Sequence, residues 1–256
     1  MSLKNTLWSA FRSPRYPAFL LAATLVWLGL WSLGPKHPGD FALEHILTAL
    51  FIPLLIWTRR RFPLSHLSYT LIFLFLALHI VGAFYTYSEV PYEQWFATVG
   101  SWFGVQDLTL RRLLGWERNH FDRLVHLAFG LLLAYPAREI FLRIAQVKGF
   151  WGYYLPLDVM MSLSMLYELL EWGVAVVVGG DTGQSYLGTQ GDEWDAHKDM
   201  FFATLGALLT MVFTALVNAR WQRDFAAEFA ESLRVKDKKP LGEVKLEEMV
   251  DQQKKG

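Results

Sequence analysis

Apolar residues recur along this chain in long uninterrupted runs, and six of them approach the roughly 20 residues a helix needs to cross a bilayer. The first, AFLLAATLVWLGLWSLG, begins at Ala18 and stops at Gly34–Pro35. FALEHILTALFIPLLIW covers 41–57, and LSHLSYTLIFLFLALHIVGAFY covers 64–85. A fourth opens at HFDRLVHLAFGLLLAYP near His120 and reaches Leu142. GYYLPLDVMMSLSMLYELLEWGVAVVV fills 152–178, and the last runs from about Asp199 to Asn218. Only helices can satisfy the backbone of an open chain inside lipid. The pattern therefore predicts an all-α, polytopic membrane helix bundle with about six transmembrane helices over residues 1–218.

Two regions break the pattern. Residues 90–118 contain PYEQWFATVGSWFGVQ, whose Trp95, Phe96, Trp102 and Phe103 suit a segment lying in the membrane interface. Residues 219–256 are densely charged, which predicts a cytoplasmic tail that begins as a helix and frays.

Composition agrees with a bilayer setting, with 53% hydrophobic and only 19% charged residues and 11 Trp. A net charge of zero argues against nucleic acid as a partner, and the absence of cysteine excludes disulfides and thiolate metal sites. Charge is distributed unevenly, however. With six spans, 18 of the 24 Lys and Arg fall on the side of the two termini, including Arg59–Arg60–Arg61 and the tail. The positive-inside rule then puts both termini in the cytoplasm of a bacterial inner membrane.

That topology gives the polar residues a common depth. Ionisable groups within spans cost about 2.5–3.5 kcal/mol each at the helix centre on insertion scales, so each needs a reason. His79 falls near the outer end of the third run, with Tyr85 and Tyr87 just beyond. His120, Asp122 and His126 occupy the outer turns of the fourth, Glu168 and Glu171 the outer half of the fifth. Asp192, Asp195 and Asp199 lead into the sixth at spacing i, i+3, i+7, one stripe if residues 190–200 are helical. Glu44 and His45 read as snorkelling groups, Glu193 and Lys198 as solvated ones.

Carboxylates and imidazoles from several helices of a bundle are the material of a metal site. His126, Glu168, Glu171 and Asp199 form a ligand set for a divalent ion (Mg, Mn or Zn), with Glu171 and Asp195 as catalytic candidates. His79, Tyr85, Tyr87, His120, Asp122 and Asp192 would complete the pocket.

The strings LHIVGAFYTYSEVPY, NHFDRLVHLAFGLLLAYP, YELLEW and GTQGDEWDAHKDM closely resemble the YjdF-like family of bacterial inner-membrane proteins, over about residues 64–218. That resemblance implies a multispanning fold and no particular reaction. A weaker one is to VanZ-like membrane proteins, through Asp122-Arg123-Leu124-Val125-His126, Glu168-Leu169-Leu170-Glu171 and Asp195, or Asp199 with Gly206. Glu171 departs from it, standing where Gln is usual. It implies a role in the cell envelope.

Three functions fit these observations. One is a metal-dependent enzyme acting on a membrane lipid or lipid-linked substrate. Another is a proton-coupled transporter or flippase, and the third a structural or assembly protein whose polar cluster fixes packing. The oligomeric state is left open.

Overall fold

The computed structural model describes residues 13–105, 108–115, 118–236 and 240–254. Parts of the expected interfacial segment and tail therefore lie outside the described residues. Regular structure among those residues is helical throughout. The apolar runs become α1 (Tyr16–Trp31), α2 (Pro38–Thr58), α3 (His66–Phe84), α6 (Phe121–Arg143), α7 (Trp151–Val178) and α9 (Asp195–Trp221). Between them lie α4 (Tyr92–Trp102), α5 (Leu110–Leu114) and α8 (Gly180–Leu187), and the tail supplies α10 (Phe225–Ser232) and α11 (Leu241–Lys254).

Among the described residues five helices are long and apolar enough to span a membrane. The first run differs from expectation. Its helix has 16 residues, about 24 Å at 1.5 Å per residue, because the chain turns at Ser32 ahead of Gly34 and Pro35. The expected aspartate stripe also differs. Asp192 precedes α9 in a turn, where its carboxylate accepts from the Trp194 N–H at 3.1 Å, and only Asp195 and Asp199 are helical.

α6 is the central helix, packed against α3, α7 and α9, while α1 lies on α3. The closest approach, between α6 and α9, is made by small residues. A Cβ at Gly130 would strike the Ala203 carbonyl oxygen and lie 2.6 Å from the Ala207 nitrogen. One at Gly206 would strike the Leu127 carbonyl oxygen and lie 2.7 Å from the Leu131 nitrogen. Small residues let helix backbones meet where lipid offers no hydrophobic drive to association. Elsewhere large apolar side chains face outward, Phe213 at 68% exposure and Leu216 at 66%. That inversion of a soluble protein's surface suits a lipid environment.

Away from the acid-rich end, polar contacts fasten single elements. Glu139 of α6 accepts from the Ser65 N–H at 2.8 Å and the Ser68 hydroxyl at 2.6 Å, capping α3. The tail is more attached than its composition suggests. Glu228 and Ser232 of α10 accept from the N–H groups of Gly149 (3.1 Å) and Phe150 (2.9 Å) at the start of α7. Gly149 has φ +55°, and a side chain there would run into Ser232 and the Glu228 carbonyl.

Candidate functional site

α2, α6 and α9 all begin at the same end of the bundle, and α3 and α7 end there. Each of the three starting helices carries an acid in its first turn, Asp40, Asp122 and Asp195. Helix N-termini carry about half a positive charge and stabilise nearby carboxylates. Three such ends gathered together make an acidic cluster tolerable.

The α6–α9 contact sets the register. His126 lies four residues before Gly130, and Asp199 four before Ala203, so the two side chains stand at one level on parallel helices. Asp122, His126 and Asp199 place one ligand atom each within 4.8 Å of one another, a group able to hold a metal ion. From α7, Glu168 Oε1 lies 3.5 Å from His126 Nε2, which is itself 3.7 Å from Asp122 Oδ1. Asp199 is 2% exposed and His126 8%. Asp199 Oδ1 and Glu168 Oε1 are buried without a hydrogen-bond partner among the described residues. Three carboxylates this close require shared protons or a cation to balance them.

The donor set fits a divalent ion through carboxylate oxygen and imidazole nitrogen. Asp122, expected at the edge of the pocket, stands among the three. Glu171 lies against Glu168 and Tyr167 on α7, outside that trio.

Beside the trio lies a second hydrogen-bonded group. Glu44 Oε2 accepts from the phenols of Tyr167 at 2.8 Å and Tyr87 at 3.2 Å. Tyr87 shares a further bond of 2.6 Å with His79 Nδ1. With the Tyr87 proton committed to Glu44, the imidazole N–H donates to the phenol oxygen. Glu44 is thus 7% exposed and does not snorkel.

Tyr87 reaches this position through an unusual turn. Thr86 and Tyr87 have φ of 49° and 53°, a left-handed conformation costing non-glycine residues on the order of 1–3 kcal/mol each. The ring then folds back onto Gly82, where any side chain would collide with it. Burial raises the Tyr87 phenol well above its ordinary value, reinforced by the Glu44 charge, so it stays protonated as a donor.

An ion-pair network closes the end. Arg118 Nη1 lies 2.7 Å from Asp195 Oδ1 and 3.2 Å from Asp192 Oδ2. Arg123 Nη2 meets Asp192 at 2.5 Å, and Lys198 Nζ meets it at 2.6 Å. The Lys198 ammonium, the Trp194 N–H and Arg123 hold the Asp192 carboxyl well below the usual carboxylate range. Lys198 is therefore engaged, whereas Glu193 is exposed as expected. His120 precedes α6 at its N-cap position, and its ring accepts from Arg123 at 3.0 Å. Burial and the Arg123 and Arg118 charges hold its imidazole below the ordinary value. Asp195, proposed from sequence as a catalytic acid or base, is 4% exposed and paired to arginine.

From Glu44, His79, Tyr87, Asp122, His126 and Tyr167 a cavity of about 640 Å³ extends between α2 and α7, with α3 and α6 behind it. Past Thr48 and Ser164 its lining is apolar among the described residues. The cavity exists because, among the described residues, the backbone of α2 packs closely along α3 alone and meets α7 through side chains such as Glu44. Tyr85 does not line it. That ring packs on Trp31, with centroids 5.9 Å apart, and under the Lys36 ammonium.

Sequence reasoning passed over Glu44, Tyr167, Arg118 and Arg123 as site members. Glu44 carried a signal, an acid in the first turns of an apolar helix. Arg123 stood in the Asp122-to-His126 string without its partner being visible, and Arg118 carried no signal, since their aspartates arrive across about 70 residues of chain.

These features define a multispanning helical membrane protein with a buried acid–histidine cluster at one end of its bundle. The chain belongs to the predicted membrane protein family DUF2238, whose profile matches residues 15–220. It is similar to inner membrane protein YjdF of Escherichia coli (strain K12), at 42% identity over 209 residues, which is 81% of this chain and 91% of that protein. The likeness read from the four sequence strings thus holds. No solved structure matches the chain.

Proposed function

We propose that the protein is a divalent-metal-dependent membrane hydrolase acting on a lipid or lipid-linked substrate of the cell envelope. The observation that carries this reading is the grouping of Asp122, His126 and Asp199 within 4.8 Å, beside a cavity that is polar at one end and apolar beyond. Asp122, His126 and Asp199 hold the ion, and Glu168, next to His126, stands where it can take a proton from water and return it to the leaving oxygen. A bound divalent ion supplies a water of lowered pKa. Asp195 serves as a positioning residue, tying α9 to Arg118 and Arg123. The lysine and arginine distribution supports cytoplasmic termini, which turns the site outward. A transporter fits less well, because the cavity's polar lining stops at Thr48 and Ser164.

Elemental analysis of the full chain purified in mild detergent tests the proposal. About one equivalent of a divalent metal is expected, lost in Asp199→Asn and kept in Glu193→Gln. A metal-free protein whose stability ignores both EDTA and added Mg, Mn or Zn would overturn it.

A further inference from the structure

The cavity differs at its two ends, and the difference describes an occupant. Its polar end offers two carboxylates, two phenols and two imidazoles, and among the described residues no Lys or Arg lines it. Such an end suits hydroxyl groups, which can donate to the Glu44 and Asp122 carboxylates and to the Tyr167 phenol oxygen, whose own proton goes to Glu44. It repels an anionic head. One turn along α7 from Tyr167 and Glu168 comes Ser164, 2% exposed, whose hydroxyl has no hydrogen-bond partner among the described residues. A buried hydroxyl without a partner is costly, and one torsion turns this one toward a ligand. Beyond Ser164 the walls are apolar, lined from Phe129 to Ile140 on α6 and from Val159 to Leu163 on α7.

The α6 stretch corresponds to about 16 Å of helix and the α7 stretch to about 6 Å, the longer of them about one leaflet of a hydrocarbon core of about 30 Å. The volume falls within the usual range for ligand pockets. The mouth is lateral. Leu50 and Leu54 of α2 and Leu163 and Leu166 of α7 line the cavity and are each 45–66% exposed, so a chain can enter from the bilayer.

We infer that the cavity binds a single-chain acyl ester with an uncharged, hydroxylated head, of the monoacylglycerol type, with its ester carbonyl at Ser164. The chain lies between α2 and α7, and the head reaches Glu44, Tyr87 and Tyr167. This places the ester beside the Asp122–His126–Asp199 group. The inference rests on the proposed reading of that site for its chemistry, but not for binding.

The test uses the full chain in nanodiscs with EDTA present, so that binding is read apart from any metal. The probe is monooleoylglycerol carrying a photoreactive group in its acyl chain, and labelled residues are mapped by mass spectrometry. Labelling is expected on the α2 and α7 walls, competed by unlabelled monooleoylglycerol and not by oleyl phosphate. Leu163→Trp, which fills the groove from an exposed position, abolishes it, whereas Leu209→Trp on the exposed face of α9 does not. Ser164→Ala removes a preference of about fivefold for the ester over the glyceryl ether, which has no carbonyl. Unchanged labelling in Leu163→Trp, equal competition by oleyl phosphate, or α2–α7 cross-links between two copies in place of lipid labelling would each overturn the inference. Labelling of a protein that the elemental analysis finds without metal as purified would leave the inference standing while removing the hydrolase reading.

Discussion

Replacing Gly130 by alanine tests whether the α6–α9 contact holds the site together. The new Cβ would lie 2.6 Å from the Ala207 nitrogen and closer still to the Ala203 carbonyl oxygen. Comfortable contact begins near 3.5 Å, and both obstacles are backbone, so no rotamer change relieves the clash. The helices must separate locally by about 1 Å or more, at an overpacking cost of about 1–3 kcal/mol. His126 and Asp199 sit one turn away and move with them. Their ligand atoms lie within 4.8 Å, while two donors at about 2.1 Å from one ion can stand at most about 4.2 Å apart. The native site closes by a small shift of side chains; an added ångström takes it out of range. The assay is isothermal titration with Mn or Zn alongside thermal unfolding in detergent. A loss of metal affinity of about 10–100-fold is expected, the scale seen when supporting groups of a metal site are removed. Gly173→Ala, where a Cβ meets nothing within 4 Å, serves as the control. Metal affinity and unfolding midpoint both unchanged in Gly130→Ala would refute the argument.

Three further outcomes follow from the geometry. Tyr167→Phe removes the shorter of the two bonds to Glu44 and should cost about 1–3 kcal/mol of stability, with Trp172→Phe, an exposed neighbour on α7, as the reference in the same unfolding assay. His120 is held neutral in the folded chain, so the unfolded chain takes up its proton first as pH falls below about 6.5, and stability declines from there toward the folded value. The unfolding midpoint should fall between about pH 7 and 5 with a slope that His120→Asn flattens; an identical slope in the variant would contradict this. Gly149→Ala should release α10 from the start of α7, seen as faster proteolysis after residue 222 with the spans intact, and unchanged protection would show the contact to be dispensable.

The spans were legible because lipid imposes a simple rule on long stretches of sequence. Run lengths placed the five long helices within a few residues of their ends. The shorter α1 shows the limit, since Ser32 and Leu33 extend the apolar run in composition but not in helix. The shared depth of His126, Glu168 and Asp199 was also legible, because alternation of chain direction converts sequence position into depth. Azimuth was not. Whether Glu168 or Glu171 turns toward His126 depends on how α7 is rotated, and its packing on α6 and α9 decides that through pairs far apart in the chain. Glu44 was underrated for the same reason. Its partners Tyr87 and Tyr167 are 43 and 123 residues away, one of them delivered by a left-handed turn that composition does not announce.

α7 has 28 residues, about 42 Å of helix against a hydrocarbon core of about 30 Å. One end bears Tyr167, Glu168 and Glu171; the other is clasped by α10. A displacement of the tail is therefore applied to the same helix that carries the carboxylates, with no loop between them and Pro156 as the one internal proline at which it can bend. Whatever grips α10 on one face of the membrane holds, in mechanical terms, the handle of a lever whose working tip is the acid cluster on the other.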